Sequence, residues 1–163
     1  GNKTINKASG REYGIFSGAL ASLCKNLAIM VAADGEGATK MIHILIGSAK
    51  DEQSAKKIAS AIATSPLVKT AAFGNDPNWG RIIAAAGRGG AAINPDKIDI
   101  HLNGVRVAKN GQAVNFSEAA MKKSMAGKAL EIKVELNSGK KSAEYYTCDF
   151  SFDYIKINAS YRT

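Results

Sequence analysis

Between residues 13 and 33, apolar side chains recur at three- and four-residue steps: Phe16, Leu20, Leu23, Leu27, Met30 and Val31. That period predicts an amphipathic helix with one face to bury. Gly35 and Gly37 end it within Asp34-Gly35-Glu36-Gly37-Ala38-Thr39-Lys40, and residues 41–46 then read as a short apolar strand closed by Gly47. A second helix is predicted over 51–64. Its buried stripe is Ala55, Ile58, Ala59, Ile62 and Ala63, and Asp51 and Glu52 suit its positive N-terminal end. Ser65-Pro66 stops this helix, because proline excludes the helical conformation from the residue before it. The same pair can open a short helix through 67–70, with a strand as the alternative. Asp76-Pro77 repeats the cap-then-proline signal and predicts a helix through Arg81, Ile82, Ile83 and Ala86, ended by Gly87, Gly89 and Gly90.

The second half alternates instead. Ile98, Ile100 and Leu102 interleave with Asp99 and His101, and Asn103-Gly104 turns the chain into Val105-Arg106-Val107. Asn-Gly between alternating runs is a strong hairpin signal. Ser117 is placed to cap a helix to about Met125, with Phe116 as its hydrophobic staple. Leu130, Ile132, Val134 and Leu136 alternate with Glu131, Lys133 and Glu135, and Asn137-Ser138-Gly139 turns again. A long strand should then carry Tyr146, Cys148, Phe150, Phe152 and Tyr154 on one face, with a bulge before Ile155 and Ile157. Together these elements predict an α/β (α+β) domain whose mostly antiparallel sheet buries one face against helices. Residues 1–40 form an N-terminal helix and glycine-rich loop ahead of a C-terminal α/β domain over 41–163.

Composition narrows the reading. With 163 residues, 45 % of them hydrophobic and 22 % charged, the chain can bury a core without staples. No run matches the roughly 18 to 20 apolar residues of a membrane span, and the polar start carries no signal-peptide pattern, so a cytoplasmic protein is expected. Cys24 and Cys148 are expected to be buried free thiols. With only His43 and His101 beside them, a metal site is not expected. The net charge of +8 is spread over Lys56-Lys57, Lys69, Lys97, Lys122-Lys123 and Lys140-Lys141, which favours a solvated basic surface over a nucleic-acid binding face.

Three segments use residues that a core would not ask for. The glycines at 35 and 37 present Glu36 on a constrained turn, where a carboxylate can bind a substrate ammonium; a solvated glycine-rich helix end is an equal reading. Phe73-Gly74-Asn75-Asp76-Pro77-Asn78-Trp79-Gly80-Arg81 holds the chain's single tryptophan, which fits an aromatic anchor for packing better than a pocket wall. The tail from Asp153 to Thr163 stays aromatic and β-branched to its end, and so should be docked. Asn158 and Thr163 supply its donors and acceptors. No nucleophile-base constellation is present, and the residues alone support an α/β domain that shares in a substrate pocket.

Asp-Gly-Glu-Gly-Ala-Thr-Lys at 34–40, Ser-Pro-Leu-Val-Lys-Thr-Ala at 65–71, Asp-Pro-Asn-Trp-Gly-Arg at 76–81 and Lys-Ile-Asn-Ala-Ser-Tyr-Arg-Thr at 156–163 resemble the bifunctional ornithine acetyltransferase/N-acetylglutamate synthase family. The likeness runs in register from about residue 13 to the C-terminus. It implies a precursor that cuts itself into α and β chains and exposes an N-terminal threonine on the β chain. That threonine carries acetyl from N-acetylornithine to glutamate, and its own amine can serve as the base. Members differ in whether acetyl-CoA also serves. The resemblance further implies a two-layer α/β roll, no cofactor, and partners in the α chain, the remainder of the β chain and an oligomer of αβ units. By position, Glu36, Asn158 and Thr163 fall in the substrate site: Glu36 on the ammonium, Asn158 and Thr163 on the amino-acid end. Gly1-Asn2-Lys3 is not the family's β-chain start and Thr4 lacks the right context, so the nucleophile is expected upstream and this chain is expected to be inactive alone. Ser160 stands where family tails often carry an acidic residue.

Overall fold

A computed structural model describes residues 4–5 and 7–160. Six helices and six strands follow one another as α1 (Arg11–Ala33), β1 (Met41–Ala49), α2 (Glu52–Ala63), α3 (Pro66–Phe73), α4 (Trp79–Gly87), β2 (Asp99–Leu102), β3 (Val105–Lys109), β4 (Gln112–Ala113), α5 (Glu118–Met125), β5 (Ala129–Glu135), β6 (Lys141–Cys148) and α6 (Phe152–Ser160). The strands form one sheet in the order β4-β3-β2-β5-β1-β6. β1 runs parallel to β5 and antiparallel to β6, and the other pairings are antiparallel. The sheet is therefore mixed, with antiparallel pairs predominant.

Alternation decides which face is buried. Ile42, Ile44 and Ile46 of β1, Leu130, Ile132 and Val134 of β5, and Ile100 and Leu102 of β2 all point to one side and are almost wholly buried. There they meet Ala55, Ile58, Ala59 and Ile62 of α2, Val68 and Ala72 of α3, Ile82 and Ala85 of α4, and Met121 and Met125 of α5. Each large aliphatic side chain removed from water contributes about 1.5–3 kcal/mol, so this layer is the source of the domain's stability. The local signals hold at several points. Asp51 accepts from Ser54 N at 2.7 Å to cap α2, and Ser117 accepts from Ala120 N to cap α5. Asn103 and Gly104 both have positive φ, 47° and 79°, as a two-residue hairpin turn requires.

The structure departs from the sequence reading in four places. Residues 152–160 are helical, and β6 ends at Cys148. Ser151 turns the chain here: its Oγ accepts from Tyr154 N at 3.2 Å, an N-cap bond that competes with further pairing. Asn137-Ser138-Gly139 does not close a hairpin between neighbours, because β1 lies between β5 and β6. The turn passes over the end of β1, with Ser138 N and Gly139 N donating to Ser48 O at 2.8 and 2.9 Å. α4 begins at Trp79, capped by Asn78, whose Oδ1 accepts from Arg81 N at 3.2 Å; Asp76-Pro77 lies in the preceding loop.

The last departure concerns α1, which is helical as expected but buries none of its residues. Phe16, Leu20, Leu23, Leu27, Met30 and Val31 are all exposed, and so is Cys24; Cys148 is half-buried and both thiols are free. Contrary to the sequence reading, α1 is long and apolar enough to cross a membrane by length and composition. Its polar tie runs to the sheet instead. On the face opposite the core, Lys25 Nζ meets Glu144 at 2.9 Å, Glu144 also accepts from Tyr146 Oη at 2.8 Å, and the His43 and Tyr146 rings stack at 4.6 Å.

Candidate functional site

The glycine-rich segment leaves α1 and enters β1 through a tight turn in which Ala38 N donates to Gly35 O at 2.9 Å. Gly37, third in that turn, has φ +67°, a conformation that disfavours any side chain. A Cβ on Gly37 would lie 2.5 Å from Tyr154 N and 2.9 Å from Tyr154 Cα, so only glycine lets the first turn of α6 pack this closely. Ser151 Oγ donates to Gly37 O and completes the junction. One turn further along α6, Asn158 Nδ2 donates to Glu36 Oε2 at 2.8 Å and to Tyr154 O at 2.9 Å.

Two residues 122 positions apart therefore touch. Both are exposed, and both keep an oxygen without a hydrogen bond among the described residues: Glu36 Oε1 and Asn158 Oδ1. Beside them opens a cleft of about 860 Å³, walled by Val31 and Ala32 of α1, Glu36, Lys69, Glu144 to Cys148 of β6, Phe150 and Tyr154. Thr163, the third residue assigned from sequence, lies outside the described residues.

Among the described residues, four of the five buried polar or charged ones gather around this site: Lys40, Lys69, Asp149 and Ser151. Buried polar groups are costly unless they are bonded, and their clustering here marks the junction as more than packing. Asp149 accepts from Thr39 N at 2.8 Å, from Lys40 N at 3.1 Å and from Thr39 Oγ1. Lys40 Nζ donates to Met125 O at 2.7 Å and to Asn75 Oδ1. Burial holds the Lys40 ammonium below the usual lysine range, an effect that Asp149 partly offsets. Lys69 Nζ lies over the Phe150 ring at 4.6 Å, donates to Thr147 Oγ1 at 3.1 Å and reaches Cys148 Sγ at 3.8 Å. No carboxylate pairs with it among the described residues. Sequence reasoning gave Lys40 and Asp149 no role and counted Lys69 in a solvated basic surface, whereas the fold buries it. The available signal was a lysine among the apolar residues of α3, and nothing local distinguished the other two.

Trp79 and Arg81 stand apart from the cleft. Trp79 packs against the core from the first turn of α4, and Arg81 Nη1 donates to Leu67 O at 3.0 Å, tying α4 to α3. Trp79 thus packs as an aromatic anchor would, while Asn75 of the same segment accepts from Lys40 Nζ. Among the described residues no group of three His, Cys, Asp or Glu could hold a metal, and no histidine or carboxylate is hydrogen-bonded to Cys148 or Ser151. The arrangement is suited to gripping a small polar molecule.

Fold and site together define a mixed α/β domain that offers a carboxylate-amide pair at the mouth of a cleft. The chain belongs to the ArgJ family, whose model matches residues 2–163. It is 46 % identical over 152 residues to the arginine biosynthesis bifunctional protein ArgJ of Bacillus cereus, covering 93 % of this chain and 37 % of that protein. Against the protein of the same name from Caldanaerobacter subterraneus subsp. tengcongensis, identity is 45 % over 166 residues, covering 99 % and 41 %. The crystal structure of arginine biosynthesis bifunctional protein ArgJ from Bacillus halodurans superposes with a TM-score of 0.93 at 37 % identity, over 98 % of this chain and 75 % of that one. The chain thus spans about two fifths of the length of these curated relatives.

Proposed function

We propose that this chain is the C-terminal part of an acetyltransferase of arginine biosynthesis that moves acetyl from N-acetylornithine to glutamate. Family membership and the names of the relatives support the pathway. The observation that carries the site is the 2.8 Å bond from Asn158 to Glu36 at the cleft mouth. Glu36, with one oxygen held and one free, takes the substrate ammonium. Asn158 Oδ1, together with Thr163, binds the amino-acid end. A charge-assisted bond of this kind contributes about 1.5–3 kcal/mol, enough to set binding by one to two orders of magnitude.

The attacking hydroxyl comes from a threonine at the start of the β chain, with the threonine's own amine as base and donors from the α chain stabilising the oxyanion. No cofactor is needed for a transfer that passes acetyl from amine to hydroxyl to amine. The α chain and the rest of the β chain close over the apolar surface of α1, in a cytoplasmic oligomer of αβ units. This reading rests on α1 having a long apolar surface and no buried residue. The test is formation of N-acetylglutamate from N-acetylornithine and glutamate. The full-length protein should turn over and the 163-residue chain should not. Turnover by the isolated chain, or none by the full-length protein, overturns the proposal.

A further inference from the structure

Glu36 sits on a turn between two glycines, a segment with little intrinsic stiffness, yet it must hold its carboxylate within a few tenths of an ångström of a ligand. We propose that Asp149 and Lys40 are positioning residues that fix the Glu36 turn through Thr39. The inference rests on Glu36 being the ammonium-binding residue and adds what holds it there.

The geometry is that of a clamp closed at both ends. Asp149 stands at the first residue after β6 and is 2 % exposed. One of its oxygens accepts two adjacent backbone N–H groups, Thr39 N at 2.8 Å and Lys40 N at 3.1 Å, and the other accepts the Thr39 hydroxyl. Asp149 N donates in return to Lys40 O at 3.2 Å. The loop's backbone is thereby fixed in position and direction only three residues after Glu36. Lys40 secures the far side: its side chain leaves the loop and ends on Met125 O at the end of α5 and on Asn75, in the turn after α3. Asn75 has φ 53°, the left-handed conformation that asparagine readily takes after a helix. Three separate pieces of the domain, the residue after β6, the end of α5 and the turn after α3, converge on Thr39 and Lys40, whereas among the described residues Glu36 has one hydrogen bond, to Asn158. Rigidity of the turn is thus imported from the buried side, leaving the exposed side free for ligand.

The same two residues could serve stability alone, so the test must separate positioning from folding. A double-mutant cycle in the full-length protein does so, because a residue that acts through Glu36 has nothing to act on once Glu36 is gone. Asp149→Ala is expected to lower kcat/KM about 10-fold or more, mostly through KM, yet by less than about 2-fold in a Glu36→Ala background. Thr39→Val deletes only the hydroxyl contact and should show the same pattern at smaller size, which covers the case in which Asp149→Ala does not fold. Asp149→Asn keeps an acceptor for the two backbone donors, and its amide can donate to the Thr39 hydroxyl, so it should recover most of the loss. Equal penalties in both backgrounds, or no recovery in Asp149→Asn, would overturn the clamp. An unchanged kcat/KM in Glu36→Ala alone would instead remove the substrate-site reading beneath it.

Discussion

Gly37→Ala tests the junction between the glycine-rich turn and α6. Two penalties apply. The left-handed backbone at φ +67° costs an alanine about 1–2 kcal/mol. The new Cβ also lies 2.5 Å from Tyr154 N, and reaching the 3.4 Å of ordinary contact requires α6 to retreat by roughly 0.9 Å. Which side yields follows from burial. α6 buries none of its residues, with Phe152 79 % exposed, whereas the turn leads into β1, whose Ile42 and Ile44 are fully buried. Displacing α6 is therefore cheaper than distorting the sheet. A shift of that size stretches the 2.8 Å Asn158–Glu36 bond beyond hydrogen-bonding range.

Gly90→Ala is the matched control, since Gly90 has φ +66° with nothing within 4 Å of an added Cβ. Gly90→Ala should lose about 1–2 kcal/mol in urea unfolding, from backbone strain alone, and Gly37→Ala at least as much. Only Gly37→Ala should speed hydrogen exchange along Phe152–Ser160 and raise KM in the full-length protein. If α6 exchanges at the wild-type rate in Gly37→Ala, the claim that this glycine exists to seat α6 is wrong.

The tie between α1 and β6 depends on pH. The hydrogen bond from Lys25 holds the Glu144 carboxyl below its ordinary value of 4.5, so its contribution is complete above that value and fades as pH falls through the lowered one. The urea midpoint of wild type minus that of Glu144→Gln should be flat near neutrality and shrink on acidification below 4.5; a pH-independent difference would contradict this. Leu27 on α1 is 50 % exposed, so Leu27→Asp should change the stability of this chain by less than about 0.5 kcal/mol while reducing association of the full-length protein's chains. Unchanged assembly, measured by light scattering, would exclude α1 as the covered surface.

Elements whose signals are local were legible in the chain. α2 follows from a small-residue stripe behind Asp51, and the β2–β3 hairpin from Asn103-Gly104. α6 was hidden because Phe150, Phe152 and Tyr154 continue the two-residue period of β6. The deciding signal was Ser151 followed by Asp153, a cap and an acidic first turn. The insertion of β1 between β5 and β6 leaves no local trace, since register is settled by pairing across the sheet. Of the candidate site, Glu36 stood out as a carboxylate between glycines and Asn158 as a donor and acceptor on a tail expected to be docked, while their assignment to a substrate came from the family motif. Asp149 and Lys40 look like ordinary charges until the fold brings positions 109 apart together and buries them.

Titration of ornithine into the full-length protein, comparing wild type with Glu36→Ala, addresses the substrate grip without depending on the chemistry of transfer. Loss of one ammonium contact should weaken binding about 10- to 100-fold while the protein stays folded. Equal affinity in the two proteins would mean that the acid on the glycine turn does not hold the ligand.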